Sequence, residues 1–539
     1  MGLQALDSNR KADNSGRQAL PADADRRRLI QGAAASLLLP ATLRQAGAQS
    51  EGATRLLRLP KTALVIGNSR YADAPLKNPA NDARAIAAQL KQSGFEVTLH
   101  MDVAREPMTR AIEAYAALLA KTKAVGLFYF AGHGVQLAWR NFLLPVDADI
   151  DKIEDIPKQC VDVGTLIAGI TKAANPMNMV ILDACRDNPF GSVKRVDQKG
   201  LSQLDAPPGT FLAYATSPGN VASDGDGENG LYTENLLREL KVPEAKIEDV
   251  FKRVRLGVRR RSNGQQIPWE STSLEEDFYF LPPRELHKLS ESETQKLYAA
   301  ESALWEKIKE SASPGPLEDY LRRYPSGNFS ELAQLQLDRI LAKQGEKKIQ
   351  IVSDAANPFS KGTAASNLNY KLGDSYTYRI VDVLTGIERG RATDTVAKLT
   401  DTEVHYSNGS ITDFLGNPRI DRSGTRRTSN QPFISEYAVG KRWDSRVGIT
   451  QPNGMQGIAD VHYRVTTREV IKVPAGEFNA FRIEIRGFVA FPNFTLQVES
   501  RNWVAPDRLR RLVAGENLFR VGAKITNTDR QELVSFSES

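Results

Sequence analysis

Residues 124–134 read AVGLFYFAGHG, and residues 179–187 read MVILDACRD. Each opens with a short apolar run rich in β-branched, aromatic or aliphatic side chains and closes in small or polar residues. Runs of that length and composition are buried strands. A third, TALVI at 62–66, ends in Gly67-Asn68. Between them Ala, Ile and Leu recur at helical spacing over 81–90, 108–120 and 165–172, and 95–99 is a further strand-like run. This alternation predicts a mostly parallel α/β sheet flanked by helices. A strand at 211–216 (FLAYAT), helical stretches at 232–240 and 247–261, and the runs 266–269 and 277–281 complete the unit near residue 283.

In an open parallel sheet, ligands bind beyond the carboxyl ends of the strands. His133 follows one buried run and Cys185 another, so both belong at that edge. A thiol needs a base or a neighbouring imidazolium to become the reactive thiolate. Gly132 and Gly134 leave the imidazole uncovered and let a substrate backbone come close. The backbone N–H groups of Gly134 and Cys185 are the candidate oxyanion donors. The chain has two cysteines, Cys160 and Cys185, and five histidines, at 100, 133, 287, 405 and 462, which excludes a disulfide framework and a zinc ribbon. A Cys160–Cys185 disulfide in an oxidising compartment is the alternative, and it would remove the nucleophile.

FYFAGHG at 128–134 and LDACRD at 182–187 resemble the catalytic motifs of caspases and metacaspases. Cys185 follows His133 by 52 positions (185 − 133), against about 50 in the caspase pattern. The resemblance covers residues 61–283, with a large-subunit-like part before the polar loop 191–210 and a small-subunit-like part after it. DACRDNPF at 183–190 and GQQIPWESTSL at 264–274 are most similar to prokaryotic caspase-like proteins. The resemblance implies a cysteine endopeptidase acting on protein or peptide substrates, with Cys185 as nucleophile, His133 as general base and no cofactor. Asp183 stands where caspases carry Gln; metacaspases carry Asp there, in a pocket for Arg or Lys. Asn81-Asp82 resembles the metacaspase segment that adds a second acidic group. Cleavage after Arg or Lys is therefore expected, with Asp183 and Asp82 binding substrate. Ala131 replaces the metacaspase Ser, and Asp187 the Gly or Ser that often follows the nucleophile. Lys194, Arg195 and Lys199 make the loop a candidate for self-cleavage. The competing reading is a catalytically idle caspase-like scaffold that serves protein interaction.

The rest of the 539 residues points to several domains, at about 100–200 residues each. Residues 1–48 read as a twin-arginine-like signal peptide: Arg26-Arg27-Arg28, a weakly apolar GAAASLLLP at 32–40, and Ala46-Gly47-Ala48. An exported, periplasmic or secreted protein is expected. The caspase-like unit is assigned to 59–283. A helical, repeat-like segment follows at 285–345, broken by Pro314 and Pro325, then a linker at 346–367. Residues 368–539 alternate apolar and polar side chains between turns, as in an antiparallel β domain forming a sandwich or open barrel, whose ligand would be an unknown partner. The net charge of +6 carries no dense basic stripe with interleaved aromatics, which argues against nucleic acid. No apolar run is long enough for a stable membrane span. No metal site is assigned. The acidic, Gly-rich stretch 223–228 has the oxygen ligands calcium takes without EF-hand spacing, and a solvated loop or a pocket lining are its other readings. Arg259-Arg260-Arg261 reads as a solvated helix end favoured by the helix dipole.

Overall fold

Lys61–Gly67 has six consecutive buried residues and Val125–Ala131 is buried throughout, as strands covered on both faces must be. The computed structural model describes residues 52–184, 200–220, 222, 227–286, 289–347 and 356–539. The signal-peptide region, Cys185, the loop through residue 199 and most of the acidic stretch 223–228 lie outside the described residues. The strands of the first domain are β1 (Lys61–Gly67), β2 (Glu96–Met101), β3 (Val125–Ala131), β4 (Gly134–Leu137), β5 (Arg140–Leu143), β6 (Val161–Asp162), β7 (Asn178–Asp183), β8 (Thr210–Tyr214) and β9 (Trp269–Thr272). The main sheet has the order β2-β1-β3-β7-β8-β9, parallel except for the final pair. The order of winding reverses between β1 and β3, and in open sheets ligands bind at the carboxyl edge of such a switch point.

The longer helices after β1 are α1 (Pro79–Gln92), α2 (Arg105–Thr122), α3 (Val163–Ala173), α4 (Leu231–Glu239) and α5 (Ile247–Arg261). Their apolar faces share one core with the sheet, including Ile86, Leu90, Ile112, Leu119, Ile170 and Val254. Strands β4, β5 and β6 form a small antiparallel sheet beyond His133. The β4–β5 turn puts Ala138 and Trp139 at φ +49° and +67°, a left-handed pair that usually selects Asn and Gly.

Three helices follow: α6 (Glu291–Ile308), α7 (Pro314–Arg323) and α8 (Ser330–Lys343). Pro314 opens α7 rather than interrupting a helix, since a first-turn proline lacks only an N–H that has no helical partner. Of the arginines at the end of α5, Arg260 and Arg261 are exposed as expected, but Arg259 is not. Arg259, 8% exposed, binds Asp338 at 2.6 Å and Glu346 at 2.8 Å, and Arg260 binds Glu318 at 2.8 Å. They fasten the helical segment to the sheet domain.

The C-terminal strands run antiparallel from Ser375–Asp382 to Asp529–Ser537 and close into a barrel. Closure comes where Leu512–Val521 pairs with Phe494–Val504 on one side and Asp529–Ser537 on the other. Closing the ring removes the exposed edges that a sandwich would leave. Alternate residues such as Val461, Tyr463, Ile483 and Ile485 build one apolar cluster. The barrel touches the first domain at β9: Gly440, at φ +91°, packs where a Cβ would lie 1.8 Å from the Thr272 carbonyl oxygen. Arg442 reaches Glu248 of α5 at 3.0 Å, and Glu331 of α8 accepts from Ser435 and Lys441. Among the described residues no helix is long and apolar enough to cross a membrane.

Candidate active site

Strands β3 and β7 bring their ends together. Ala131 stands opposite Asp183 in their ladder, and the Gly132 N–H donates to the Asp183 carbonyl at 3.3 Å. A Cβ on Gly134 would lie 2.3 Å from the Ala184 carbonyl oxygen, so only glycine lets the two chain segments touch. Gly132 has φ +154°, and a Cβ there would meet the Tyr71 hydroxyl at 2.5 Å. His133 is therefore held on a backbone locked to the residues directly before Cys185, which itself lies outside the described residues.

The imidazole of His133 is 4% exposed. Its Nε2 lies 2.8 Å from the Ala74 carbonyl oxygen. A carbonyl can only accept, so Nε2 carries the hydrogen and Nδ1 is the basic nitrogen of the neutral ring. Tyr71 packs its ring against the imidazole with centroids 4.5 Å apart. Its hydroxyl accepts the His133 N–H at 3.0 Å and donates to the Leu144 carbonyl at 3.1 Å. The Leu144 N–H returns to the His133 carbonyl at 3.0 Å. The hydroxyl is thus inserted into one rung of the β4–β5 ladder. Rungs alternate in an antiparallel pair, so the next residue, Gly134, turns its N–H away from β5. Asn68, fully buried after β1, steadies the same floor by accepting the Val103 N–H and donating to the Leu144 carbonyl, each at 3.0 Å.

Cys160 is a core residue, 3% exposed, packed with Tyr71, Val135, Phe142 and Ile156. Burial pushes its thiol up to about 12, so it stays protonated at neutral pH. Its burial and raised thiol set Cys160 against thiolate chemistry.

The two acidic residues expected in a substrate pocket lie around the buried Tyr129. The Oδ2 atom of Asp183 accepts from the Thr233 hydroxyl at 2.8 Å and lies 3.5 Å from the Tyr129 hydroxyl. Asp82, 3% exposed on α1, accepts the Gly230 N–H at 2.9 Å. Burial, followed by the negative charges of Asp183 and Asp82, drives ionisation of the Tyr129 phenol well above its usual range. Sequence reasoning did not find Tyr71, the Ala74 carbonyl or Thr233. Tyr129 was within reach, because it sits two residues before Ala131 on the strand face that meets Asp183.

Comparison with known proteins agrees with this geometry. The peptidase C14 family, described as the caspase domain, matches residues 60–279. The human mucosa-associated lymphoid tissue lymphoma translocation protein 1 is 30% identical over 164 residues, covering 30% of this chain and 19% of that protein. Its mouse homologue matches with the same identity and coverage. The chain therefore spans about a fifth of the length of these curated relatives. The parallel sheet, the His-bearing glycine turn after β3 and the family match lead to one assignment: residues 60–279 form a caspase-like domain of the peptidase C14 family.

Proposed function

We propose that the chain is a cysteine endopeptidase cutting after Arg or Lys through a Cys185–His133 dyad. The observation that carries this reading is the 2.8 Å contact of His133 Nε2 with the Ala74 carbonyl, because it makes Nδ1 the base. In the proposed reaction Nδ1 takes the Cys185 thiol proton and the sulfur adds to the scissile carbonyl carbon. The electron pair displaced onto oxygen is met by the N–H groups of Gly134 and Cys185. Collapse expels the amine, which takes the proton from the imidazolium. Water, deprotonated by Nδ1, then hydrolyses the thioester and restores the thiol. Asp183 and Asp82 supply the negative field for the basic side chain before the cut.

The test is cleavage of short reporter peptides ending in Arg, Lys or Asp, with and without calcium, by the purified chain and by Cys185→Ala. The order Arg, then Lys, with Asp uncut and the variant inactive, supports the reading. Equal cleavage by the variant ends it, and no cleavage by either protein favours the idle scaffold. Residues 1–48 belong to the proposal as an export signal. A reporter fused to residues 1–50 should leave the cytoplasm, and Arg26→Lys with Arg27→Lys should retain it. Retention of the unmutated fusion would remove export from the account.

A further inference from the structure

Three groups stand in a line behind the candidate pocket. The Tyr129 hydroxyl is 2.6 Å from the Thr233 hydroxyl, which is 2.8 Å from Asp183 Oδ2. Tyr129 and Thr233 are both fully enclosed by protein. Thr233 has one hydroxyl hydrogen, and an ionised carboxylate only accepts, so Thr233 donates to Asp183 and accepts from Tyr129. The phenol stays protonated to fill that role, since burial and the nearby negative charges oppose its ionisation. Thr233 lies in the first turn of α4, and Gly230, the residue that precedes this helix, gives its N–H to Asp82 at 2.9 Å. One helix end therefore holds both pocket carboxylates, Asp82 through a main-chain N–H and Asp183 through a hydroxyl.

We infer that Thr233 is a specificity-positioning residue: by anchoring Oδ2 it fixes the plane of the Asp183 carboxylate for side-on approach of a guanidinium. The inference rests on the reading of Asp183 as a pocket residue. A fixed plane matters for a two-pronged guanidinium contact and much less for an ammonium, which is a compact point charge. The Asp183 carboxylate meets two hydroxyls, Thr233 from α4 at 2.8 Å and Tyr129 from β3 at 3.5 Å, and the shorter contact sets the position of Oδ2.

The experiment is steady-state kinetics of the full chain on three peptides that differ in one residue before the cut: Arg, its neutral isostere citrulline, and Lys. Thr233→Val removes the hydroxyl at constant shape and Thr233→Ser keeps it. Thr233→Val should lower kcat/KM for the Arg peptide about ten- to hundred-fold, the size expected when a hydrogen bond to a charged group is lost. The Lys peptide should lose less, so the Arg/Lys ratio should fall, and Thr233→Ser should restore it. Ratios unchanged in Thr233→Val, or a Ser variant that behaves like Val, would overturn the inference. If Thr233→Val does not fold, Thr233→Ala decides, a fall in the Arg/Lys ratio supporting the inference and an unchanged ratio overturning it. A wild-type chain that cuts Arg and citrulline peptides equally would instead remove the pocket reading itself, and the inference with it.

Discussion

Tyr71→Phe isolates one atom of the proposed catalytic floor. The ring that packs on His133 is kept, and only the hydroxyl between the His133 N–H and the Leu144 carbonyl is lost. For a roughly tetrahedral hydroxyl the two backbone groups stand about 5 Å apart, whereas a direct bond needs about 3 Å. The gap cannot close unless the His133 backbone moves by about 2 Å towards Leu144. If it does not close, the buried His133 N–H loses its partner, at about 1–3 kcal/mol, while the Leu144 carbonyl keeps Asn68. Loss of about 1–3 kcal/mol is therefore expected in urea denaturation of the full chain. If it closes, stability is largely recovered but the imidazole shifts, and a displacement of this size is expected to lower kcat by about a hundredfold. The two outcomes exclude each other in degree, so stability and activity must be measured on the same preparation. A Tyr71→Phe chain with both stability and kcat/KM unchanged would refute the role given to this hydroxyl.

Four further outcomes are expected. Asp183→Asn should lower kcat/KM for Arg peptides by about 2–4 kcal/mol of transition-state binding, read from kinetics, as expected when a charge-assisted pair is lost. The Cys160 thiol ionises more easily unfolded than folded, so its contribution to stability is complete below pH 9 and is lost as the pH rises towards 12. Cys160→Ala should flatten that alkaline limb, whose slope reaches about 1.4 kcal/mol per pH unit, and leave peptide cleavage unchanged. Burial opposes ionisation of Glu331, but Lys441 and Ser435 overcome it and hold the carboxyl down at about 2. That stabilisation is present above pH 4.5 and lost as the pH falls towards 2, so Glu331→Gln should flatten the acid limb of a denaturation series. Arg259→Ala leaves Asp338 and Glu346 without their shared cation and should cost about 3 kcal/mol, with faster hydrogen exchange in α8.

The parallel sheet was legible because β1, β3 and β7 are short apolar runs that end in a change of chemistry, and strand polarity then put His133 and the start of the Cys185 segment at one edge. What holds His133 was not legible. Tyr71 lies 62 residues before it, and the Ala74 partner is a backbone carbonyl, which leaves no side-chain signal. The β4–β5 hairpin was missed because Ala138-Trp139 lacks the Asn and Gly that mark such turns. The Arg259 contacts span 79 and 87 residues, and basic side chains at a helix end are usually explained by the dipole alone. In the C-terminal domain alternation revealed strands, but barrel closure depends on pairing Ser375–Asp382 with Asp529–Ser537, at opposite ends of the domain, and local pattern cannot report that.

The central claim, that Cys185 is a nucleophile activated by His133, is tested most directly by covalent labelling. The full chain is treated with a peptide ending in Arg and bearing a thiol-reactive ketone, then digested and mapped by mass spectrometry. The account predicts one label on Cys185, none on Cys160, and loss of labelling in His133→Ala with the fold intact. A label on Cys160, or equally rapid labelling of Cys185 when His133 is absent, would contradict it.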